Sequence, residues 1–394
     1  MRIGKPQIIT EKHRSIYRVA VESTAGKEAL WYSLHDSYRH LVSDRSDAAL
    51  VALLIPAMSS GEDIHVDGVI SDRLYYNLSN SLQILLQHIA PSLRKINICP
   101  EDIQSEQVAP AHGVATGFSG GIDSYCALAD YYYADVPTRL RVTHLLFNNV
   151  GSHGSGGEKL FCKRYRQLMP AAERIGLPFL MVDSNLDSFY VDDFGFQQTH
   201  TLRNVSVALL LQGGIGRFMY ASTYKFSDAF VGCTYDAAYS DLVTLPLLST
   251  DTLDACSIGS EYSRVQKTLR VAELPDSYGT LDVCVNASNG SGYANCSKCW
   301  KCLRTLATLE IAGLLERYSD SFDLNVYESQ RKNYFARLLG SHDPLLREIV
   351  DFADDRSYSF PLSSRLLHHS RVAAIVNCSR RGLRRLKHLT RRFT

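Results

Sequence analysis

The chain has 394 residues, with 42 Lys and Arg against 41 Asp and Glu, a formal charge of +1. It therefore lacks the overall cationic excess of a nucleic-acid binder. Its 45% hydrophobic and 21% charged content is that of an ordinary globular protein, and the length suggests two or three domains. No run of 18 apolar residues offers a membrane span, no apolar leader follows Met1, and ten cysteines in so large a chain need no disulfide framework. A cytoplasmic location with reduced thiols and no membrane partner is the expectation.

Residues 15–21 alternate apolar and polar in the manner of a strand. Thr24-Ala25-Gly26 turns the chain into a second strand over 29–34. An apolar helix is expected over 48–58 and a strand over 64–70. A long amphipathic helix follows, with Leu74, Leu78, Leu82, Leu85 and Ile89 on one face, Ser71 or Asp72 as its cap and Pro91 as its end. These 110 residues read as an N-terminal α+β domain without a catalytic constellation. Packing or homodimer formation is its expected role.

From His112 the pattern becomes strand–helix alternation. Strands are expected at 113–118, 142–150, 178–183 and 228–233, with helices at 158–175 and 201–221. Repeated βα units imply a parallel sheet with helices on both faces, and ligands on such sheets sit beyond the carboxyl ends of the strands. There Ser119, Gly120, Gly121, Ile122, Asp123 and Ser124 join the first strand to a helix. Paired glycines admit close backbone approach and positive φ, and the helix start presents N–H groups to an anion. Ser119 and Ser124 add hydroxyl donors. A Walker A loop would carry lysine here; the acidic Asp123 instead suits a carboxylate that helps hold Mg²⁺. Phe147 and Asn148, ending the second strand, and residues 233–236 should meet this loop.

Weaker candidates follow. Arg203 is suited to clamping a carboxylate or phosphate bidentately, against a plain surface role. Arg264 and Lys267, one turn apart, are suited to phosphates, against a solvated face. Cys126 and Cys233 fall near the expected site and are read first as packing residues. Cys284, Cys296, Cys299 and Cys302 then offer four thiolates at the spacing of a tetrahedral Zn²⁺ site, with an iron–sulfur cluster as the rival. The last seventy residues read as helical. They end in an arginine-rich tail from Ser379 that suggests nucleic acid such as tRNA but more often is a solvated end.

The run Ser119-Gly120-Gly121-Ile122-Asp123-Ser124 resembles the signature of the PP-loop ATP pyrophosphatase superfamily. Joined to the four cysteines, it looks like that superfamily's cyano-deazaguanine synthase branch, over residues 111 to about 315. The resemblance implies an α/β, adenine nucleotide alpha hydrolase-like core, with domains at 1–110, 111–318 and a helical 319–394. It implies ATP and Mg²⁺ at Ser119 to Ser124, with Asp123, Ser119 and Ser124 catalytic, and a structural Zn²⁺ on the cysteines. The implied reaction is adenylylation of a small-molecule carboxylate or amide with release of pyrophosphate, completed by a nitrogen nucleophile. Sulfur transfer and non-catalytic ATP binding are the alternatives.

Overall fold

A computed structural model describes residues 1–105, 108–154, 157–190, 194–285 and 293–370. It divides into two compact units, Met1–Tyr262 and Ser263–Thr394. The first is an α/β unit on an eleven-stranded sheet. Its strands are β1 (Arg2–Ile3), β2 (Gln7–Glu11), β3 (Arg14–Ser23), β4 (Gly26–His35), β5 (Ile64–Ser71), β6 (Ile98–Gln104), β7 (Gly113–Gly117), β8 (His144–Asn148), β9 (Phe179–Ser184), β10 (Ile215–Ala221) and β11 (Asp254–Ile258). Its helices are α1 (Asp47–Ser60), α2 (Asp72–Asn77), α3 (Gln83–Ile89), α4 (Ile122–Leu128), α5 (Glu158–Ile175), α6 (Phe196–Leu210) and α7 (Asp241–Leu247).

The strands run in the order β11-β10-β7-β8-β9-β4-β3-β1-β5-β6, with β2 on β3. From β11 to β9 every pairing is parallel. Within this half the chain winds outward one way through β7, β8 and β9, then returns to the other side of β7 for β10 and β11. The order reverses between β7 and β10, which is where doubly wound sheets open a ligand crevice. Thr116 Oγ1 donates to the Met219 carbonyl at 2.8 Å across that junction.

The N-terminal half is mixed. β3 buries Tyr17, Val19 and Val21 on one face, the period of a half-covered strand. It pairs antiparallel with β4, and β4 pairs antiparallel with β9 through Tyr32↔Ser184 and Ser33↔Asp183. One continuous sheet thus joins the first 110 residues to the parallel half. α1 is apolar on all faces and buried from Ala48 to Ile55, as expected of a helix covered on every side. It packs on α6. Gln212 Nε2 also donates to the buried Asp47 carboxylate at 2.8 Å. These ties hold the N-terminal strands and the parallel half in one compact unit, Met1–Tyr262.

The second unit contains α8 (Arg264–Val271), α9 (Trp300–Ile311), α10 (Leu324–Leu339) and α11 (Pro344–Asp355). α9 is its centre and packs on the other three. Glu310 near the end of α9 accepts from Arg331 Nε at 2.8 Å, from Tyr327 Oη at 2.7 Å and from Tyr358 Oη. One carboxylate thereby gathers three segments. The arginine-rich tail lies outside the described residues.

The fourth strand is a correction. Residues 215–221, expected to end a helix, form β10, because Gly213 and Gly214 stop α6 and Ile215 pairs beside Gly113. The run 228–233 pairs with no strand and leaves Phe230 and Val231 exposed. The long helix of residues 72–89 is interrupted by a π turn at Leu78–Leu82, and Ser71 donates to Asp47 instead of capping it. Among the described residues no helix is long and apolar enough to cross a membrane.

Candidate functional site

The glycine loop occupies the position expected of it. β7 ends at Gly117, Gly121 caps α4, and Gly120 takes φ +71°. A residue with a Cβ would be strained in that left-handed turn, so glycine is required. The first bond of α4 runs from Tyr125 N–H to the Gly121 carbonyl at 3.1 Å, so the N–H groups ahead of it face out of the helix end. Ser119 is exposed, while Ser124 is buried and donates its hydroxyl to the Gly121 carbonyl at 3.0 Å. Ser124 therefore shapes the loop from within. Ile122 is buried under it, and Asp123 is half-buried in the first turn of α4.

The second strand contributes unequally. Phe147 is a core residue, stacked on Phe161 with ring centroids 5.1 Å apart. Asn148 is half-buried and donates to Asn204 Oδ1 at 3.1 Å, while its own Oδ1 is buried without a partner. Arg203 is 1% exposed. Its guanidinium donates to Thr199 Oγ1, the Val150 carbonyl and Asp187 Oδ1, lies 3.7 Å from the Tyr190 ring centroid, and fills the space that a Cβ on Gly151 would need. It joins β8, α6 and the segment at Asp187 from inside the fold.

A polar chain runs along α6 and the end of β10. Tyr220 Oη and His200 Nδ1 are 2.7 Å apart, and His200 Nε2 lies 3.3 Å from Asp236 Oδ1. A carboxylate only accepts, so both contacts are met with Nε2–H toward Asp236 and Nδ1 accepting from Tyr220. Burial pushes Asp236 up, but hydrogen bonds from His200, the Ala238 N–H and Tyr224 outweigh it and hold the carboxyl below its usual range. Burial, with Asp241, Asp236 and Asp123 adding to it, raises the Tyr220 hydroxyl well above its ordinary value. Asp123 therefore lies within electrostatic reach of Tyr220. Asp236 falls in the run 233–236 expected beside the loop, whereas Tyr220 falls within the helix expected over 201–221 and was hidden by it. Cys126 is buried in α4, and Cys233 is exposed.

The other motif belongs to the second unit. The sulfurs of Cys284, Cys296, Cys299 and Cys302 all lie within 4.8 Å of one another, with Cys299 and Cys302 at 3.4 Å and Cys296 and Cys302 at 4.0 Å. Zn–S bonds of ~2.3 Å would set tetrahedral sulfurs about 3.8 Å apart, so the donor set fits such an ion. None of the four is in a disulfide. Asn295, fully buried, accepts from Val283 N–H at 2.9 Å and donates to the Leu281 carbonyl at 2.6 Å, which pins the two arms together. Ser297 takes φ +56° at the knuckle, and Cys299 caps α9. The hydrogen bond with Cys302 pulls Cys299 down to about 4, against burial, while Cys302 is pushed up by the same bond and by burial. The four cysteines can hold a metal such as zinc.

Arg264 and Lys267 are not on a solvated face. They open α8 in the second unit, are 7% and 1% exposed, and sit behind a capping box of Ser263 and Gln266. The Arg264 N–H donates to Glu348 Oε2 at 2.8 Å. Comparison with known proteins assigns the chain to no family: no family model, no curated protein and no solved structure matches it.

Proposed function

We propose that this chain is an ATP-dependent adenylylating enzyme of the PP-loop type, releasing pyrophosphate and passing the activated acyl or amide group to a nitrogen nucleophile. The observation that carries the reading is the lysine-free Ser119–Ser124 turn at the strand-order reversal, with Gly120 left-handed and the start of α4 behind it. Backbone N–H groups and the Ser119 hydroxyl would hold the β and γ phosphates as charge develops on them. Asp123 offers one carboxylate beside substrate phosphates, the usual way Mg²⁺ is held, and that ion would offset phosphate charge when bound. Asn148, whose buried Oδ1 has no partner, would accept from a donor on nucleotide or substrate. The Tyr220–His200–Asp236 chain would take the proton that the incoming amine loses.

For the cysteine cluster we assign structural Zn²⁺, since all four donors are protein sulfur and no position is left for substrate. Incubation with Mg-ATP and a small-molecule cell extract, followed by nucleotide chromatography, tests the main reading. AMP and pyrophosphate are expected, lost in Asp123→Ala with unfolding temperature unchanged. ADP and phosphate as the products would exclude it.

A further inference from the structure

The second unit has a cavity of about 190 Å³ that takes no residue from the glycine loop or the cysteine cluster. α9 contributes Trp300 and Arg304, one turn apart on one face. α10 contributes Tyr334 and Arg337 at the next spacing, and the start of α11 closes the cavity with Leu345 and Leu346.

Tyr334 is 5% exposed, and its hydroxyl is buried without a hydrogen-bond partner. Leaving a buried donor unmet is unfavourable, so this hydroxyl is poised for an acceptor supplied from outside the chain. Burial raises it, and the charges of Arg304 and Arg337 act against that rise. Both cations therefore lie within electrostatic reach of the same oxygen. Arg304 is buried, with its guanidinium carbon 5.1 Å from the centroid of the Trp300 ring. Asp343 also lines the cavity, but its Oδ1 accepts from the Leu345 N–H at 2.9 Å and caps α11. Two guanidinium groups and one carboxylate therefore line the cavity.

The remaining walls are apolar. A bare inorganic oxyanion would leave Leu345, Leu346 and the indole facing it unmatched. A nucleotide is too large, because even drug-sized ligands occupy pockets of roughly 300–1,000 Å³. We propose that this cavity binds a small organic carboxylate, with Arg304, Arg337 and the Tyr334 hydroxyl on its oxygens and Trp300, Leu345 and Leu346 around its hydrocarbon stem. Nothing in the adenylylation reading requires this site, and either proposal can fail alone.

The test uses the full chain and isovalerate as probe, followed by tryptophan fluorescence, with Trp300 in the cavity wall and Trp31 as the other indole. Saturable quenching is expected. Isoamyl alcohol, with the same stem and no charge, should bind about tenfold or more weakly, the scale of a charge-assisted hydrogen bond. Inorganic phosphate should not compete. Tyr334→Phe should weaken isovalerate binding several-fold while leaving the ligand-free protein as stable or more stable, since it removes the unmet hydroxyl. Arg337→Gln, at an exposed position, should weaken binding without unfolding. Equal binding of the alcohol, competition by phosphate, no saturation by isovalerate, or Tyr334→Phe binding as wild type would each overturn the proposal.

Discussion

The glycine loop and the cysteine cluster are the two most chemically marked stretches of the chain, yet they are held in place in different ways. The loop is fixed by its flanks. β7 is buried between β8 and β10, α4 starts at Gly121, and the left-handed Gly120 is the only turn the join requires. Its shape exists before any ligand arrives. The cysteine cluster has almost no regular structure under three of its four ligands. Residues 281–285 form no strand, Ser297 adopts a left-handed turn without being glycine, and only Cys302 sits on a helix. Beside the sulfurs, Asn295 and the buried Ser297, whose hydroxyl accepts from the Asp323 N–H at 2.9 Å, hold it. Losing a ligand from the loop would therefore cost binding, whereas losing a metal from the cluster would cost folding.

The largest expected effect follows from that contrast. Chelation, or Cys302→Ser at a fully buried position, should unfold the second unit. Structural zinc contributes on the order of 10 kcal/mol in small domains, and even a fraction of that exceeds ordinary stability margins. Elemental analysis should give about one zinc per chain, as one ion per four thiolates requires. Calorimetry should then show the transition of the second unit lost and that of the first retained. Several irons per chain would replace zinc with a cluster and favour sulfur transfer.

A smaller effect is expected at the loop. Gly120→Ala introduces a Cβ at φ +71°, a strain of about 1–2 kcal/mol. The sheet should bear that cost, and the loop should relax away from the geometry that receives phosphate. ATP affinity, measured by calorimetric titration, should fall about tenfold, the equivalent of 1.4 kcal/mol, with little change in unfolding temperature. Unchanged affinity would mean that the turn does not contact nucleotide.

The same difference governs how much the sequence reveals. Local signals were legible: the helix Glu158–Ile175, the strand Phe179–Ser184, the hairpin turning at Gly26 and the strand–loop–helix around Gly120 all follow from spacing, glycine and caps. The strand Ile215–Ala221 was not, because a short apolar run has no decisive period. Gly213 and Gly214 were the available sign that the preceding helix had ended. Asp254–Ile258 is shorter still. The join between the N-terminal strands and the parallel half rests on two residue pairs far apart in sequence, Tyr32 with Ser184 and Ser33 with Asp183, which no local pattern encodes. Arg203 and Lys267 were read as anion-binding cations or surface charges; their burial was not legible, because charge usually implies exposure and burial with partners is a tertiary fact. The relay through Tyr220 needed the correct strand before it could be seen.

The smallest expected effect concerns Asp241, at the start of α7 beside the relay. Thr201 Oγ1 donates to one carboxylate oxygen at 2.7 Å, and the other oxygen is buried without a partner. Burial raises its pKa from 3.8 to about 6, with Asp236 adding to the rise and His200 and Thr201 opposing it. The folded state therefore holds a proton that the unfolded chain has released. Its contribution to stability is fully present below about pH 4 and is lost as pH rises through about 6. Asp241→Asn keeps the acceptor for Thr201 and removes the charge. At neutral pH the variant should be more stable than wild type by roughly 3 kcal/mol, given 1.36 kcal/mol per pKa unit. In the acid range the two should converge. Urea unfolding at several pH values reads both slopes. A variant that is less stable at neutral pH would show that the ionised carboxylate is held by the fold.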